Sequence, residues 1–168
     1  AASYTLSYRT MAIAGDNPIH TQGFEDGMGD WFIGNESMGY PTYAGICTEA
    51  AHSGDHSFKL TGFIEEGNAR EALLFGMSQI TEPSVLRFYY KRNAASSDVF
   101  LVFSFYSEYY GQQWWPLNPT EDWQLFTMDL PDDVVGIEFD YYGPGLNSDA
   151  GVYIDDITIS PVAQAAGE

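Results

Sequence analysis

At 168 residues, 45% of them hydrophobic and 16% aromatic, the chain suffices for one domain with a substantial core. Its 24 acidic residues against 6 basic ones, a formal charge of −18, make nucleic acid and anionic membranes poor partners, because both must be met by Lys and Arg. Neutral sugars and cations such as Ca²⁺ stay compatible with that surface, and the single cysteine, Cys47, rules out an intrachain disulfide.

Taken in chain order, the sequence shows almost no helical periodicity. Glycines at 23, 27, 29, 34, 39, 45, 54, 62 and 67 cut the first half into short runs. Short strands are expected around Leu6, at Trp31 to Ile33 and at Tyr43 to Thr48. Clearer ones follow at Ser57 to Gly62 (SFKLTG), Val85 to Arg92 (VLRFYYKR) and Val99 to Tyr106 (VFLVFSFY). The last three are Gln124 to Leu130 (QLFTMDL), Ile137 to Tyr142 (IEFDYY) and Val152 to Ser160 (VYIDDITIS). Such spacing with turn residues between the runs predicts an all-β fold, a two-sheet antiparallel β-sandwich. Residues 1–162 form that single domain, and 163–168 (AQAAGE) read as a linker or tail. Cys47 reads as a small buried hydrophobe. No stretch reaches the ~20 apolar residues of a membrane helix. No leader of the basic-then-apolar kind is visible at the N-terminus, which leaves open a fragment of a larger exported protein with its leader removed.

Alternation divides three strands into two faces. Leu86, Phe88 and Tyr90 oppose Arg87, Tyr89 and Lys91. Val99, Leu101, Phe103 and Phe105 oppose Phe100, Val102, Ser104, Tyr106 and Glu108. Ile137, Phe139 and Tyr141 oppose Glu138, Asp140 and Tyr142. The first set of each strand is a core face. The second mixes tyrosines with charged and hydroxyl groups and is expected to form one surface. Flat rings match the C–H faces of pyranoses, and carboxylates, guanidinium and amide groups match their hydroxyls. The same tyrosines also suit cross-strand packing without any ligand. Residues 106–117 (YSEYYGQQWWPL) read as an aromatic loop carrying Tyr110, Trp114 and Trp115. Two adjacent Trp in an extended segment cannot both enter the core, so one of Trp114 and Trp115 is expected as a platform. Trp31 reads as structural or at a strand edge, and Trp123, at the start of an apolar strand, reads as core.

GFEDGMGDWF (Gly23 to Phe32), AHSGDHSFKLTG (Ala51 to Gly62), DWQLFTMDL (Asp122 to Leu130) and GVYIDDITIS (Gly151 to Ser160) together resemble jelly-roll carbohydrate-binding modules. The group resembled binds xylan and β-glucan chains and accompanies plant-cell-wall hydrolases. The resemblance implies a jelly roll with a structural calcium. By position it implies Glu25 and Asp155 as side-chain ligands and the carbonyls of Gly23, His52 and Asp55 as backbone ligands. Asp26 and Asp156 stand beside them as alternatives. It further implies a secreted, monomeric module tethered to a catalytic domain, holding a β-glucan, xyloglucan or xylan polysaccharide without acting on it. Two other functions fit the pattern. A jelly-roll lyase or hydrolase would use Glu108, Glu138 and Asp140 as acid and base. An extracellular adhesion domain shares the FE…W start and the IDDI end, though such domains usually carry paired cysteines.

Overall fold

The computed structural model describes residues 17–62, 68–76, 80–96, 99–144 and 149–163. The strand expected around Leu6 and most of the expected tail lie outside them. Eleven strands and one helical turn follow in order: β1 (His20–Gln22), β2 (Trp31–Ile33), α1 (Gly34–Ser37), β3 (Gly45–Cys47), β4 (Ser57–Leu60), β5 (Asn68–Gly76), β6 (Ser84–Arg92), β7 (Phe100–Ser107), β8 (Gly111–Leu117), β9 (Gln124–Leu130), β10 (Val134–Pro144) and β11 (Val152–Pro161). Two antiparallel sheets face each other. The first runs β3-β4-β11-β6-β9 with β1 also on β11; the second runs β2-β5-β10-β7-β8.

The strands form where β-branched and aromatic residues alternate, and their inward sides meet between the sheets. Phe88 and Phe126 of the first sheet stack at 4.8 Å between ring centroids. Phe139 of the second sheet meets Phe88 edge-on at 4.8 Å, and Phe103 sits 5.3 Å from Phe126. Leu86, Tyr90, Leu101, Phe105, Ile137 and Tyr141 are buried around this cluster, as alternation predicts. Trp31 stacks on Phe75 at 4.8 Å inside the same core. Cys47 is half-buried rather than buried, because its partner position across β3–β4 is Ser57, while neighbouring Ile46 faces Phe58 and the core.

The expected single polar surface is corrected by the topology. Strand β6 belongs to the first sheet, whereas β7 and β10 pair in the second. Arg87, Tyr89 and Lys91 therefore lie across the sandwich from Ser104, Tyr106, Glu138, Asp140 and Tyr142. Alternation tells a residue's side of its own strand and says nothing about which strand lies beside it. Three strands escape the sequence reading altogether, β1, β5 and β8, the three residues of β1 being too few to show alternation. Segment NAREALLFG of β5 is built from strong helix formers, and GQQWWPL of β8 reads as a loop because of its Gly and Pro.

Truncating the inter-sheet cluster is the test of this core. Phe139→Ala is expected to lose about 3–5 kcal/mol in urea unfolding, and Phe100→Ala, on the solvent side of β7, under about 0.5 kcal/mol. Equal losses would mean the two faces are wrongly assigned.

Candidate functional site

The outer face of the second sheet carries a continuous polar ladder. Register places Arg70 opposite Tyr142, Leu74 opposite Glu138, Glu138 opposite Ser104, Ser104 opposite Trp114 and Tyr106 opposite Gln112. These side chains thus share one face across β5, β10, β7 and β8, about 14 Å at ~4.8 Å per strand. Arg70 Nη2 donates to Asp140 Oδ1 at 3.0 Å, and the guanidinium lies 5.5 Å from the Tyr142 ring. Tyr106 Oη donates to Glu138 Oε2 at 2.5 Å. Gln112 Nε2 donates to Ser104 Oγ at 3.2 Å and to Tyr106 Oη at 3.1 Å.

The electrostatics are unusual for an outward-facing sheet. Glu138 and Asp140 are only 6% and 4% exposed, although no second layer of strands covers them. Burial, and then the hydrogen bond with Glu138, push the Asp140 carboxyl up to about 6 against the pull of Arg70. Burial and the bond to Glu138 raise the Tyr106 phenol, so it stays a neutral donor near pH 7. Arg70 is 62% exposed on its side chain and offers donors outward. The ladder thus presents acceptors and donors side by side.

An aromatic platform stands at the β8 edge. Trp114 is 63% exposed on the ladder face. Trp115 is turned the other way, 5.3 Å from Phe105 and 5.9 Å from Phe103, so its expected role as a platform is corrected. Its parity on β8 sends it to the core. Tyr110 and Glu108 sit in the exposed turn between β7 and β8, outside the ladder. Sequence reasoning missed Arg70 and Gln112. They sit on β5 and β8, strands it did not identify, so no face could be assigned to them. The remaining expected residues lie on the opposite side of the molecule. Tyr89 is capped by His52 at 3.5 Å between rings, and Lys91 lies over Trp123 at 5.7 Å. Arg87 is half-buried on the same outer face. Trp123, expected in the core, is corrected: it is half-buried outside the core, because it precedes β9 and its ring meets Lys91 and His52 on the outer face.

A second cluster gathers the residues expected at a metal. In β11 a bulge shifts the register between Asp155 and Thr158, with Asp156 in left-handed backbone at φ 49°. The extra residue aims both carboxylates at residues 52–53. Asp155 Oδ2 accepts from the His52 and Ser53 amides at 2.7 and 3.3 Å, while Asp156 Oδ1 accepts from Ser53 Oγ at 2.7 Å. From the other side Glu25 Oε1 accepts from the amides of Asp55 and His56 at 3.0 and 2.9 Å. Gly54 has φ 65° and packs so closely that any Cβ there would overlap the Glu25 carboxylate. Hydrogen bonds from His56 hold the Glu25 carboxyl below its ordinary value, whereas burial pushes Asp155 up. Residues 23–25, 52–56 and 155–156 thus meet in one clasp. Its oxygens are hard donors of the kind Ca²⁺ takes. Among the described residues no group of three or more His, Cys, Asp or Glu side chains is arranged to hold a metal ion. A calcium here would therefore depend on backbone carbonyls beside the two carboxylates.

No protein-family model matches the chain, and neither does any curated protein. Solved structures do share its fold. The CBM22-1 xylan-binding domain of Xyn10C from Paenibacillus barcinonensis superposes with a TM-score of 0.58 at 16% identity, covering 92% of this chain and 100% of that one. TmCBM61, solved with β-1,4-galactotriose, gives 0.58 at 16% identity over 88% and 97%. The K3 adhesin domain of Lys-gingipain from Porphyromonas gingivalis gives 0.56 at 15% identity over 88% and 99%. The chain is thus a jelly-roll β-sandwich, as the sequence predicts.

The buried acid of the ladder has a pH signature. Its folded-state value, about 6, lies above the ordinary 3.8. The associated stability is therefore present below about pH 4 and is lost as pH rises through about 6. Asp140→Asn is expected to melt several degrees above the native protein at pH 7, with the gap closing as pH falls to 4. A variant that melts lower at pH 7 would mean the Arg70 pairing outweighs the cost of burial.

Proposed function

We propose that the chain is a non-catalytic module that holds a neutral plant-type polysaccharide, a β-glucan, xyloglucan or xylan, on the outer face of its second sheet. One observation carries this reading: a polar ladder of Arg70, Asp140, Glu138, Tyr106, Ser104 and Gln112 beside the exposed ring of Trp114. Sugar hydroxyls need donors and acceptors alternating at short range, and sugar C–H faces need a flat ring. The fold is shared with a xylan-binding domain and with a module solved with galactotriose, which supports the reading. An adhesin domain shares it too, so the fold does not decide between them. The ladder does, because a protein interface core is poor in charged residues. A hydrolytic role is disfavoured by geometry. Glu138 and Asp140 stand two residues apart on one strand, each already bonded within the ladder, whereas glycosidase carboxyls flank the scissile bond.

Tethering to a catalytic domain, secretion and a monomeric state belong to this proposal. Among the described residues no helix is long and apolar enough to cross a membrane. The clasp joins the proposal as a structural calcium site, with the Glu25 and Asp155 carboxylates and the carbonyls of Gly23, His52 and Asp55 as ligands. The convergence of three distant segments on one turn supports it. When bound, the ion would neutralise the two carboxylates and tie the start of the sandwich to its last strand.

Affinity electrophoresis against soluble polysaccharides tests the ligand. Trp114→Ala is expected to weaken retardation about 10-fold, the loss of roughly one stacked ring, with the melting point unmoved. Lys91→Ala, on the opposite face, is expected to bind like the native chain. The reverse pattern would place the ligand on the first sheet. For the clasp, a calcium chelator is expected to lower the melting point by several degrees in the native protein and to have no effect on Glu25→Gln. An unchanged native melt would mean the clasp holds by its own hydrogen bonds.

A further inference from the structure

One cavity beside the ladder is unlike the rest of that face. The α1 turn stands on β5 so closely that a Cβ on Gly34 would lie 3.3 Å from Ala72 Cβ and 3.4 Å from Leu74 Cδ1. Glu71 pins it there, accepting from the Asn35 amide at 2.9 Å and from Thr42 Oγ1 at 2.6 Å. Between α1 and the sheet lies a recess of about 320 Å³. Its floor is Ala72 and Leu74, its walls are Phe32 and Met38, and Arg70 and Glu138 stand at the edge it shares with the ladder. Phe32 and Met38 are both exposed, Met38 by 65%.

The two halves of this surface ask for different chemistry. The ladder offers hydrogen-bonding groups from Arg70, Asp140, Glu138, Ser104, Tyr106 and Gln112. The recess offers mostly apolar carbons, with polar groups from Asn35, Ser37 and Glu71 on the α1 side and from Arg70 and Glu138 at the ladder edge, and its volume is at the lower end for a small-molecule site. A sugar inside a polymer backbone carries a linkage at both ends and would have to pass through α1. A substituent carries one linkage and can end there.

Resting on the glycan reading above, we infer that the recess receives a single-sugar branch, a pentopyranose or 6-deoxy sugar, so that the module selects a decorated backbone over a bare one. The backbone lies along the ladder. The branch turns under α1, sets its C–H face on Phe32 and Met38, and directs its hydroxyls to Arg70 and Glu138. A branch lacking the exocyclic hydroxymethyl group suits a floor of Ala72 and Leu74, where that hydroxyl would lose its partners. Ala72 is the positioning residue for specificity, because its small side chain keeps the floor open.

Calorimetry with matched oligosaccharides tests this. One pair is a β-1,4-glucan tetrasaccharide, bare or carrying xylopyranosyl branches; the other is a β-1,4-xylan oligosaccharide, bare or carrying arabinopyranosyl branches, and neither branch has an exocyclic hydroxymethyl group. In at least one pair the branched member is expected to bind about 10-fold tighter, the equivalent of about 1.4 kcal/mol. Ala72→Leu is expected to erase that preference while leaving affinity for the bare member unchanged. Phe32→Ala, at the exposed rim, is expected to reduce the preference without filling the recess. Equal binding within both pairs overturns the inference and leaves the glycan reading standing, as does a preference that survives both variants. No binding of any of the four overturns both.

Discussion

Four phenylalanines from four strands fix the position of every other side chain. Phe88 and Phe126 come from one sheet, Phe103 and Phe139 from the other, and their rings interlock at 4.8–5.6 Å. Close-packed rings allow no slip by one residue, because a slip would exchange the two faces of a strand. With Phe103 held inside, Ser104 must face out; with Phe139 inside, Glu138 and Asp140 must face out. The ladder is thus a consequence of the core. It comprises the polar side chains among those at the alternate positions of β5, β7, β8 and β10; Ala72, Val102 and Pro116 share the face without belonging to it.

The same logic explains what the sequence discloses and what it withholds. Parity within a strand is written in the alternation itself, and Leu86, Leu101 and Ile137 fall inside as read. Strand order depends on contacts between distant segments, so nothing in VLRFYYKR tells that it lies with β11 and β9 rather than with β7 and β10. Arg70 was invisible for a different reason. The helix formers around it are overridden by pairing with β2 and β10 on both edges. In β11 the bulge moves the inward positions from 152 and 154 to 157 and 159, so an unbroken alternation across IDDI would misplace one of its acids. The WW pair is the one place where the sequence forces an exposed ring, and β8 parity selects Trp114.

Both outer faces carry aromatic and charged residues, yet they have opposite fates. On the first sheet His52 caps Tyr89, Glu49 reaches Lys59 at 2.9 Å, and the Tyr153 hydroxyl donates to Glu49 at 2.8 Å. The clasp at Glu25, Asp155 and Asp156 holds the covering segment in place. Composition of a strand face therefore does not decide its availability; the segment before β4 decides it. On the second sheet α1 covers only the β2–β5 side, and Gln112, Trp114 and Tyr142 stay exposed beyond it.

Holding Glu138 and Asp140 out of water beside one another costs stability that a Thr or Val pair would not. Natural sequences retain such costs where a function needs them. The pair also sets the sign of what the face accepts. Arg70 is the ladder's cation, and Asp140 already neutralises it. A uronate laid along the ladder would find its charge opposed by two carboxylates and by a chain carrying −18 overall. A hydroxyl meets no such opposition, since it donates to Glu138 or Asp140 and accepts from Arg70 or Gln112. For the proposed glycan face, the acidic composition and the ladder's geometry therefore favour the same ligand class, one uncharged and dense in hydroxyl groups.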